Sequence, residues 1–517
     1  MDYTRLIWST ATYIETRVKE SIDYDDLEKS VGFSYRHIRE TFRECTGITL
    51  SRYILIRRLA NSAFDIAHTD RSLSDIAADY MFESYDVFTR AFKRHMNILP
   101  SHLRRLPCSL KVGRRRILVG MFGPMLLKQE ENYATNQAPV GSSNWQQNLS
   151  EVDYPMNNNV KTKDGCILYG VPKVAYSFEE CTPFCAAMKA CLNYMGQQMD
   201  YAYVMAITGA AFRLRWNVEY WDGGNVDIMN IYEDRYEAFR RAFAAAGRSY
   251  RLLTRQSSNK EDFIRFIKEE LEEGRPVIAF GIIGPPEACL ITGYRDNGNQ
   301  LLGWNCFQDN QEFAKNVTQD ESGYFVTDGW WENEYTVALI AVGERQEALA
   351  SHKEILENAL QLLTKEKVVF LGQDNRLEAE YAGGQRAYEY WARKIGDDKE
   401  FPKGAILPIL YERLVCQNDA VLMLAEGRFY AAAYLERVGR DIAQVESECK
   451  LAAEYLRRAA ELGQKMGEVV GGLIQDEERV QHFAKPEIRR KLVPLINKAA
   501  GFEAEAVKVI REIIEKL

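Results

Sequence analysis

Basic and hydrogen-bonding side chains recur in two short segments that lie about fifty residues apart. Arginine and lysine pair with phosphates, and arginine forks and small hydroxyls also reach base edges in the major groove of DNA. Spacings of three and four residues would place them on one face of a helix. We therefore predict DNA contacts from Tyr35, Arg36, Arg39 and Arg43 in the first segment, and from Tyr85, Thr89, Arg90, Lys93 and Arg94 in the second.

Two helix-turn-helix patterns would position these side chains, and the second pattern repeats the first between residues 22 and 106. In each copy, a short amphipathic helix leads through a turn into a second helix. That second helix carries an i,i+4 apolar pair, Ile38/Phe42 in the first copy and Phe88/Phe92 in the second. Such a pair anchors a helix to a small core and leaves its opposite face free.

These hundred residues resemble the DNA-binding module of AraC/XylS-type transcription regulators. The resemblance is carried by FRECTGITLSRYI, IRRLANSAFDIA and SYDVFTRAFKRHMNILPSHLRR. It implies that one long helix, LSRYILIRRLANSAFDIAHT, joins two helix-turn-helix units and that double-stranded DNA is a partner. Met81 and Asn97 stand where the family usually has glycine. Glycine accepts positive φ without strain and methionine does not, so we expect an altered turn in the second unit.

Charge separates this segment from the rest of the chain. Residues 1–116 hold 20 Lys and Arg against 15 Asp and Glu, whereas the whole chain of 517 residues has a net charge of −8. A positive segment suits counterion release on DNA, and the acidic remainder does not. The length and the 46% hydrophobic content predict roughly three globular domains.

Cysteine spacing and hydropathy exclude several classes of protein. The ten cysteines are irregularly spaced without a CxxC pair, which favours free thiols in a reducing cytoplasm and predicts neither a metal site nor a cofactor. The apolar run at 117–127 is too short for a bilayer, which needs about 20 residues. We therefore predict a cytoplasmic protein without a membrane partner.

The predicted fold is multidomain α+β. Strand-like runs PVIAFGII, EACLITGYR and QLLGWNCF with intervening turns indicate an antiparallel sheet in the central region, and 3.6-residue periodicity predicts that the C-terminal region is helical throughout, as a bundle. The predicted domains are a double helix-turn-helix domain at 1–110, a linker at 111–163, an α+β domain at 164–345 and a helical domain at 346–517.

The central region resembles a papain-like cysteine peptidase, in the branch of leader-peptide peptidases and acyl-carrier transferases. The order of ECTPFCAAMKACLNYMG, GRPVIAF, the TGY strand, DNGN and LLGWNCF carries the resemblance. The family implies a nucleophilic cysteine at a helix N-terminus, for which Cys181 and Cys185 are candidates, and a histidine on the later strand. Glu287 stands in the histidine's place, and no histidine lies between His102 and His352. We therefore predict no catalytic residues.

A peptidase-like cleft without its base can still bind a ligand. Aromatic side chains with a few polar groups are typical of pockets for small molecules, although any one aromatic residue is more often part of a core. The predicted ligand-binding residues are Phe212, Arg213, Trp216, Tyr220, Trp221, Glu287, Trp304 and Trp330.

Three functions are compatible with these patterns. The first is a transcription regulator, possible as a homodimer, in which a small-molecule or peptide effector shifts the population of conformations that bind DNA. The second is a thiol acyltransferase or peptidase that uses Cys181 or Cys185 and carries a DNA-binding domain. The third is an interaction protein whose helical tail recruits a partner. The absence of a histidine base favours the first.

Overall fold

The chain forms two compact units. The N-terminal unit contains the described residues up to 105 together with 407–413, and the remaining described residues form the sheet unit. Most of the predicted linker at 111–163 lies outside the described residues. The computed structural model describes residues 4–46, 49–68, 71–96, 99–105, 159–176, 180–219, 221, 226–309, 313–314, 317–333, 335–347, 350–371, 377–401, 407–472 and 477–517.

Helices build the described part of the N-terminal unit up to residue 105. Apolar residues at helical spacing turn inward and form two separate small cores, one under each helix-turn-helix. The all-α prediction for this segment is confirmed. Its helices are α1 (Thr4–Thr16), α2 (Tyr24–Val31), α3 (Tyr35–Thr46), α4 (Leu50–His68), α5 (Leu73–Asp79), α6 (Tyr85–Met96) and α7 (Pro100–Arg105).

An antiparallel sheet of nine strands is the centre of the sheet unit. The three predicted strands are its middle, with Ala279 opposite Cys289 and Leu290 opposite Trp304. Its path runs β4-β10-β5-β6-β7-β9-β8, with β2 joining β6 and β1 joining β2. The strands are β1 (Val160–Lys161), β2 (Cys166–Ile167), β4 (Arg248–Thr254), β5 (Val277–Phe280), β6 (Ala288–Arg295), β7 (Gln300–Trp304), β8 (Thr318–Gln319), β9 (Phe325–Thr327) and β10 (Ala338–Arg345).

The C-terminal region is mainly helical, as predicted, but it is not helical throughout, because it also contains a β-hairpin. A hairpin of β11 (Lys367–Leu371) and β12 (Leu377–Ala382) pairs with β3 (Trp216–Asn217) in a second sheet of three antiparallel strands. Val368, Val369 and Phe370 suit a pleated, half-buried strand better than a helix. The hairpin thus ties the C-terminal region to a strand from the centre of the chain.

Helices from both predicted C-terminal and central regions share one hydrophobic core with the large sheet. Leu356, Leu435 and Ile510 belong to the same buried cluster as Ile291 of β6. The helices are α8 (Pro183–Tyr194), α9 (Tyr201–Ile207), α10 (Glu237–Ala245), α11 (Lys260–Glu272), α12 (His352–Thr364), α13 (Gly384–Gly396), α14 (Leu407–Asp441), α15 (Glu446–Val470), α16 (Glu477–Ala484) and α17 (Pro486–Lys516).

Neither a membrane-spanning segment nor a metal centre is found in the described ranges. None of the described helices combines the length and the apolar composition that a bilayer crossing requires. Within the same ranges, His, Cys, Asp and Glu side chains do not gather in threes that could hold a metal ion.

Candidate nucleic-acid interface

Local hydrogen bonds set the turn between α2 and α3. The Asp23 carboxylate caps α2 by accepting from the backbone N–H groups of Asp25 and Asp26. Gly32 ends the helix at φ 78°, a left-handed conformation that favours glycine. The Ser34 hydroxyl then accepts from the backbone N–H of His37 at 3.4 Å. The chain therefore enters α3 at a defined angle.

The apolar side of α3 packs on its own core and turns the basic side to solvent. Ile38 and Phe42 have no exposed surface, as the i,i+4 spacing predicts. Three of the predicted DNA-contacting side chains, Arg36, Arg39 and Arg43, are exposed. Arg36 pairs with Glu40 one turn on, at 3.0 Å, yet its side chain remains 83% exposed. An exposed pair of this kind is weak and can be exchanged for a phosphate.

Tyr35 occupies a different environment from the arginines. Its ring lies 4.3 Å from that of Tyr24, and it is half-buried. Burial and the neighbouring Tyr24 raise the pKa of its phenol. The hydroxyl thus stays protonated and can donate a hydrogen bond at neutral pH.

The helix α6 repeats this arrangement on the second core. Phe88 and Phe92 are fully buried, and the rings of Phe82 and Phe88 meet edge to face at 5.0 Å. Arg90 and Lys93 are exposed on the opposite side. Two of the predicted contacts are therefore available to a nucleic acid.

Other predicted residues of α6 are not presented in this way. The Thr89 hydroxyl oxygen is buried and has no hydrogen-bond partner among the described residues. In this conformation the hydroxyl is not accessible to a nucleic acid, because its oxygen is buried. Tyr85 is half-buried against Phe88, with ring centroids at 6.3 Å. The side chain of Arg94 and the whole of Asn97 lie outside the described residues.

Met81 adopts the backbone conformation that the missing glycine would have had. Its φ is 62°, and the residue is 46% exposed. It is the counterpart of Gly32 in the turn after the first helix: Gly32 is the C-cap of α2, and Met81 directly follows Tyr80, the C-cap of α5. The turn therefore keeps the backbone conformation that a glycine would adopt, and Met81 is strained in it.

The helix α4 holds both helix-turn-helix units. Its first turns place Leu50 and Tyr53 in the first core, and its later turns place Leu59 and Ile66 in the second. Asp65 accepts hydrogen bonds from Tyr80 and Lys19 in the second half, at 3.0 and 2.9 Å. One continuous helix therefore fixes the spacing of α3 and α6, as the sequence predicts.

Comparisons with known proteins agree with this geometry. A helix-turn-helix domain family matches residues 27–106. The "Uncharacterized HTH-type transcriptional regulator YbfP" of Bacillus subtilis is 36% identical over 104 residues, 20% of this chain and 35% of that protein. The "Probable transcription factor PqrA" of Proteus vulgaris is 36% identical over 94 residues, 18% of this chain and 77% of that protein. The chain belongs to the AraC family.

A solved AraC-type regulator from Chromobacterium violaceum aligns with 19% of this AraC-family chain and 88% of its own, at 26% identity and a TM-score of 0.19. The chain spans about a third of the length of YbfP. The relatives carry the names of transcription regulators, which agrees with the prediction of a regulator rather than an enzyme. The match covers the N-terminal unit of the AraC-family chain, and the sheet unit lies beyond it.

The aromatic residues predicted to line one open cleft are packed in two different places. Phe212, Trp304 and Trp330 belong to the large core and are at most 8% exposed. The Trp304 indole N–H donates to the carbonyl of Val171 at 2.9 Å. These three side chains are part of the core of the sheet unit and do not line an open cleft.

Trp216 and Trp221 form a separate buried cluster beside the small sheet. Trp216 stacks on Trp391 with centroids at 6.2 Å and meets Trp221 at 5.4 Å. The Trp221 indole N–H donates to Glu400 at 2.9 Å. Tyr220, the remaining predicted aromatic residue, lies outside the described residues.

The candidate thiols show no sign of activation. Cys185 is fully buried in α8, and burial raises its pKa to about 12. Burial and the nearby Glu426 and Glu180 carboxylates also raise the pKa of Cys181. A nucleophilic cysteine needs the opposite shift, because the thiolate is the reactive form. The structure thus supports the prediction that neither cysteine is an activated nucleophile.

The two charged residues of the predicted ligand site, Arg213 and Glu287, interact electrostatically with each other, and Arg213 also interacts with Cys185 and Glu426. Arg213 is 2% exposed, and burial lowers its pKa, opposed by Cys185, Glu426, Asp227 and Glu287. Its Nε and Nη1 atoms have no hydrogen-bond partner within the described part of the chain. Glu287 is half-buried. A buried guanidinium with open donors is costly unless something pairs with it.

Glu426 approaches the N-terminus of α8 from α14 and is not among the predicted site residues. Its carboxylate accepts hydrogen bonds from the backbone N–H groups of Cys181 and Thr182 and from the Tyr201 hydroxyl. Glu426 is 245 residues from Cys181 in the chain. No local pattern marks such a contact, because the two residues are far apart in the sequence.

Proposed function

We propose that this protein is an effector-controlled transcription regulator. The N-terminal unit binds DNA through α3 and α6, and the sheet unit binds the effector. The observation that carries the DNA-binding part is the pair of exposed basic faces on two helices that share α4. A two-unit reader of this kind occupies major-groove segments about one helical turn apart.

The sheet unit supports a binding role better than a catalytic one. It combines α8, which has cysteines at its N-terminus, with the antiparallel strands β5, β6 and β7 in the order that a papain-like domain would have. Glu287 replaces the base, and the thiols have raised pKa values. We therefore infer a peptidase-like domain that has kept a ligand-binding cluster without the catalytic pair.

Alanine replacement on α3 tests the DNA-binding part. DNA selected from a random duplex library provides the target, and fluorescence anisotropy measures its affinity for wild type and for R36A/R39A/R43A. We expect the triple variant to bind at least tenfold more weakly, because each arginine that reads a base contributes about 1–3 kcal/mol.

The matched control removes the same number of exposed cations from the sheet unit. Arg265, Lys450 and Lys508 are 66–69% exposed, and within the described part of the chain each pairs with a carboxylate on its own helix. The R265A/K450A/K508A variant should bind the selected DNA like wild type. Equal affinity of the α3 variant and wild type would contradict the proposal. The predicted homodimer remains a prediction that sedimentation of the full chain tests.

A further inference from the structure

The N-terminus of α8 holds a carboxylate from another part of the same chain. The Oε1 atom of Glu426 accepts from the backbone N–H of Cys181 at 2.6 Å, the N–H of Thr182 at 3.2 Å and the Tyr201 hydroxyl at 2.7 Å. Its Oε2 atom accepts from the Thr182 hydroxyl at 2.8 Å. Four donors from one region therefore converge on one carboxylate.

These donors do not serve the helix itself. Thr182 is the N-cap residue, but its side chain makes no capping hydrogen bond, and Pro183 follows it without an N–H. The N–H groups of Cys181 and Thr182 and the helix dipole all favour an anion at this point. The arrangement is a formed carboxylate site whose present occupant is a side chain of α14.

Arg213 independently indicates that this site can bind a group other than the Glu426 side chain. Its side chain is 98% buried, and two of its nitrogen atoms lack partners among the described residues. Its positive charge acts on both Glu426 and Cys185. Glu426 leaves these donors unused, so a ligand that brings a further acceptor to Arg213 would satisfy them.

The backbone of α14 is held close to this site. A Cβ atom on Gly427 would lie 3.0 Å from the carbonyl oxygen of Ala211, so the helix approaches more closely there than most residues allow. The next residue, Arg428, donates from Nη1 to the carbonyls of Arg213 at 2.7 Å and Ala211 at 3.2 Å. Glu426 to Arg428 therefore form a short docking segment that contacts Cys181, Thr182, Ala211 and Arg213.

The charges decide whether a ligand joins Glu426 or replaces it. The carboxylates of Glu180 and Glu287 also act on the cluster, through Cys185 and Arg213 respectively. A further anion beside Glu426 would meet like-charge repulsion in a buried setting. A carboxylate ligand must therefore bind in place of Glu426.

We propose that the effector carries a carboxylate group that binds at the N-terminus of α8 in exchange for Glu426, with Arg213 as its counter-ion. This inference rests on the proposed effector control and specifies the ligand class. Exchange would release the docking segment of α14, so the ligand-free and ligand-bound states would differ in the position of that helix.

Chemical rescue tests the site. Replacing Glu426 by alanine removes the same heavy atoms that acetate contains, so acetate is the probe. We expect E426A to melt at a lower temperature than wild type. Acetate should then raise the Tm of E426A in a saturable way by about 2 °C or more above the effect of equal chloride. Wild type should show little difference between the two salts.

Two further variants keep the result interpretable. E426Q fills the same space with an amide, so acetate should raise its Tm no more than chloride does. The double variant E426A/Y201F lacks one donor, so its rescue should be weaker. If E426A does not fold, refolding in acetate against chloride gives the same comparison, and equal failure in both overturns the proposal.

An equal effect of acetate and chloride on the Tm of E426A would also overturn the carboxylate site. That outcome leaves the regulator assignment intact if R36A/R39A/R43A still loses DNA affinity. An unchanged DNA affinity of the α3 variant would instead contradict the regulator assignment. The two measurements use different variants and different readouts, so the two failures are distinguishable.

Discussion

At the scale of single residues, Met81 and Gly32 form an internal comparison. Both lie in the turn after the first helix of a helix-turn-helix, and both have positive φ, at 62° and 78°. A side chain other than glycine is strained in that conformation by about 1 kcal/mol or more. The second helix-turn-helix therefore keeps the same turn, and the positive φ of Met81 destabilises it.

Exchanging the residue types should change stability in opposite directions. M81G should stabilise the N-terminal unit by about 0.5–1 kcal/mol, because Met81 is exposed and its removal leaves little packing to lose. G32A should destabilise it by a similar amount, since a Cβ atom at this position meets nothing within 4 Å and only the strain remains. Urea unfolding of the full chain measures both, and a destabilised M81G would contradict the strain argument.

Residues that interact along one helix could be predicted from sequence, and residues that meet across the chain could not. The pairs Ile38/Phe42 and Phe88/Phe92 follow from helical spacing and are buried as expected. Glu426 at Cys181 depends on folding across 245 residues. The described aromatic residues of the predicted ligand site are buried in two separate places, because residue type alone does not distinguish a core from a pocket.

At the scale of secondary-structure elements, α14 and α17 are joined by an ion pair without exposed surface. Arg428 Nε lies 2.5 Å from Glu503 Oε2, and the Tyr388 hydroxyl donates to the same oxygen at 2.8 Å. Both charged side chains are fully buried. Such a pair adds little net stability over apolar residues, but the loss of one partner leaves a buried charge uncompensated.

Removal of the Glu503 charge should therefore be costly. E503Q should destabilise the sheet unit by about 3–5 kcal/mol in urea unfolding. On the same helix, E505Q removes an exposed carboxylate that pairs with Lys508 and should cost about 0–1 kcal/mol. Equal effects of the two variants would show that the buried pair is not the contact that holds α14 and α17 together.

Sequence patterns predict some of the strands and not others. The strands β5, β6 and β7 were predicted because short apolar runs alternate with strong turn signals such as DNGN. The hairpin of β11 and β12 was missed, although KVVFL is rich in β-branched residues, because helical periodicity on both sides of it dominated the prediction. Its pairing with β3 links residues 217 and 381, a contact that no local signal announces.

At the scale of the whole molecule, charge is divided along the chain. The first 116 residues are net positive and the remainder is net negative. DNA binding should accordingly weaken with salt in proportion to the number of phosphates that cations neutralise.

The α3 arginines should account for part of that salt dependence. In R36A/R39A/R43A, the slope of log affinity against log salt concentration should become shallower by up to about 3, one unit for each lost phosphate contact. Anisotropy titrations between about 50 and 200 mM salt, a range over which phosphate contacts change the affinity strongly, give the slope. An unchanged slope would show that these arginines do not contact phosphates.

The position of the cores along the chain also affects the order in which they can form during synthesis. Both cores of the double helix-turn-helix use residues no later than Phe92, whereas the sheet core includes Ile513 of α17. About 400 residues separate the end of α7 from that residue, and at bacterial to eukaryotic ribosome speeds this interval lasts roughly 20–80 s. A nascent chain would therefore carry complete recognition helices well before the domain proposed to control them has folded.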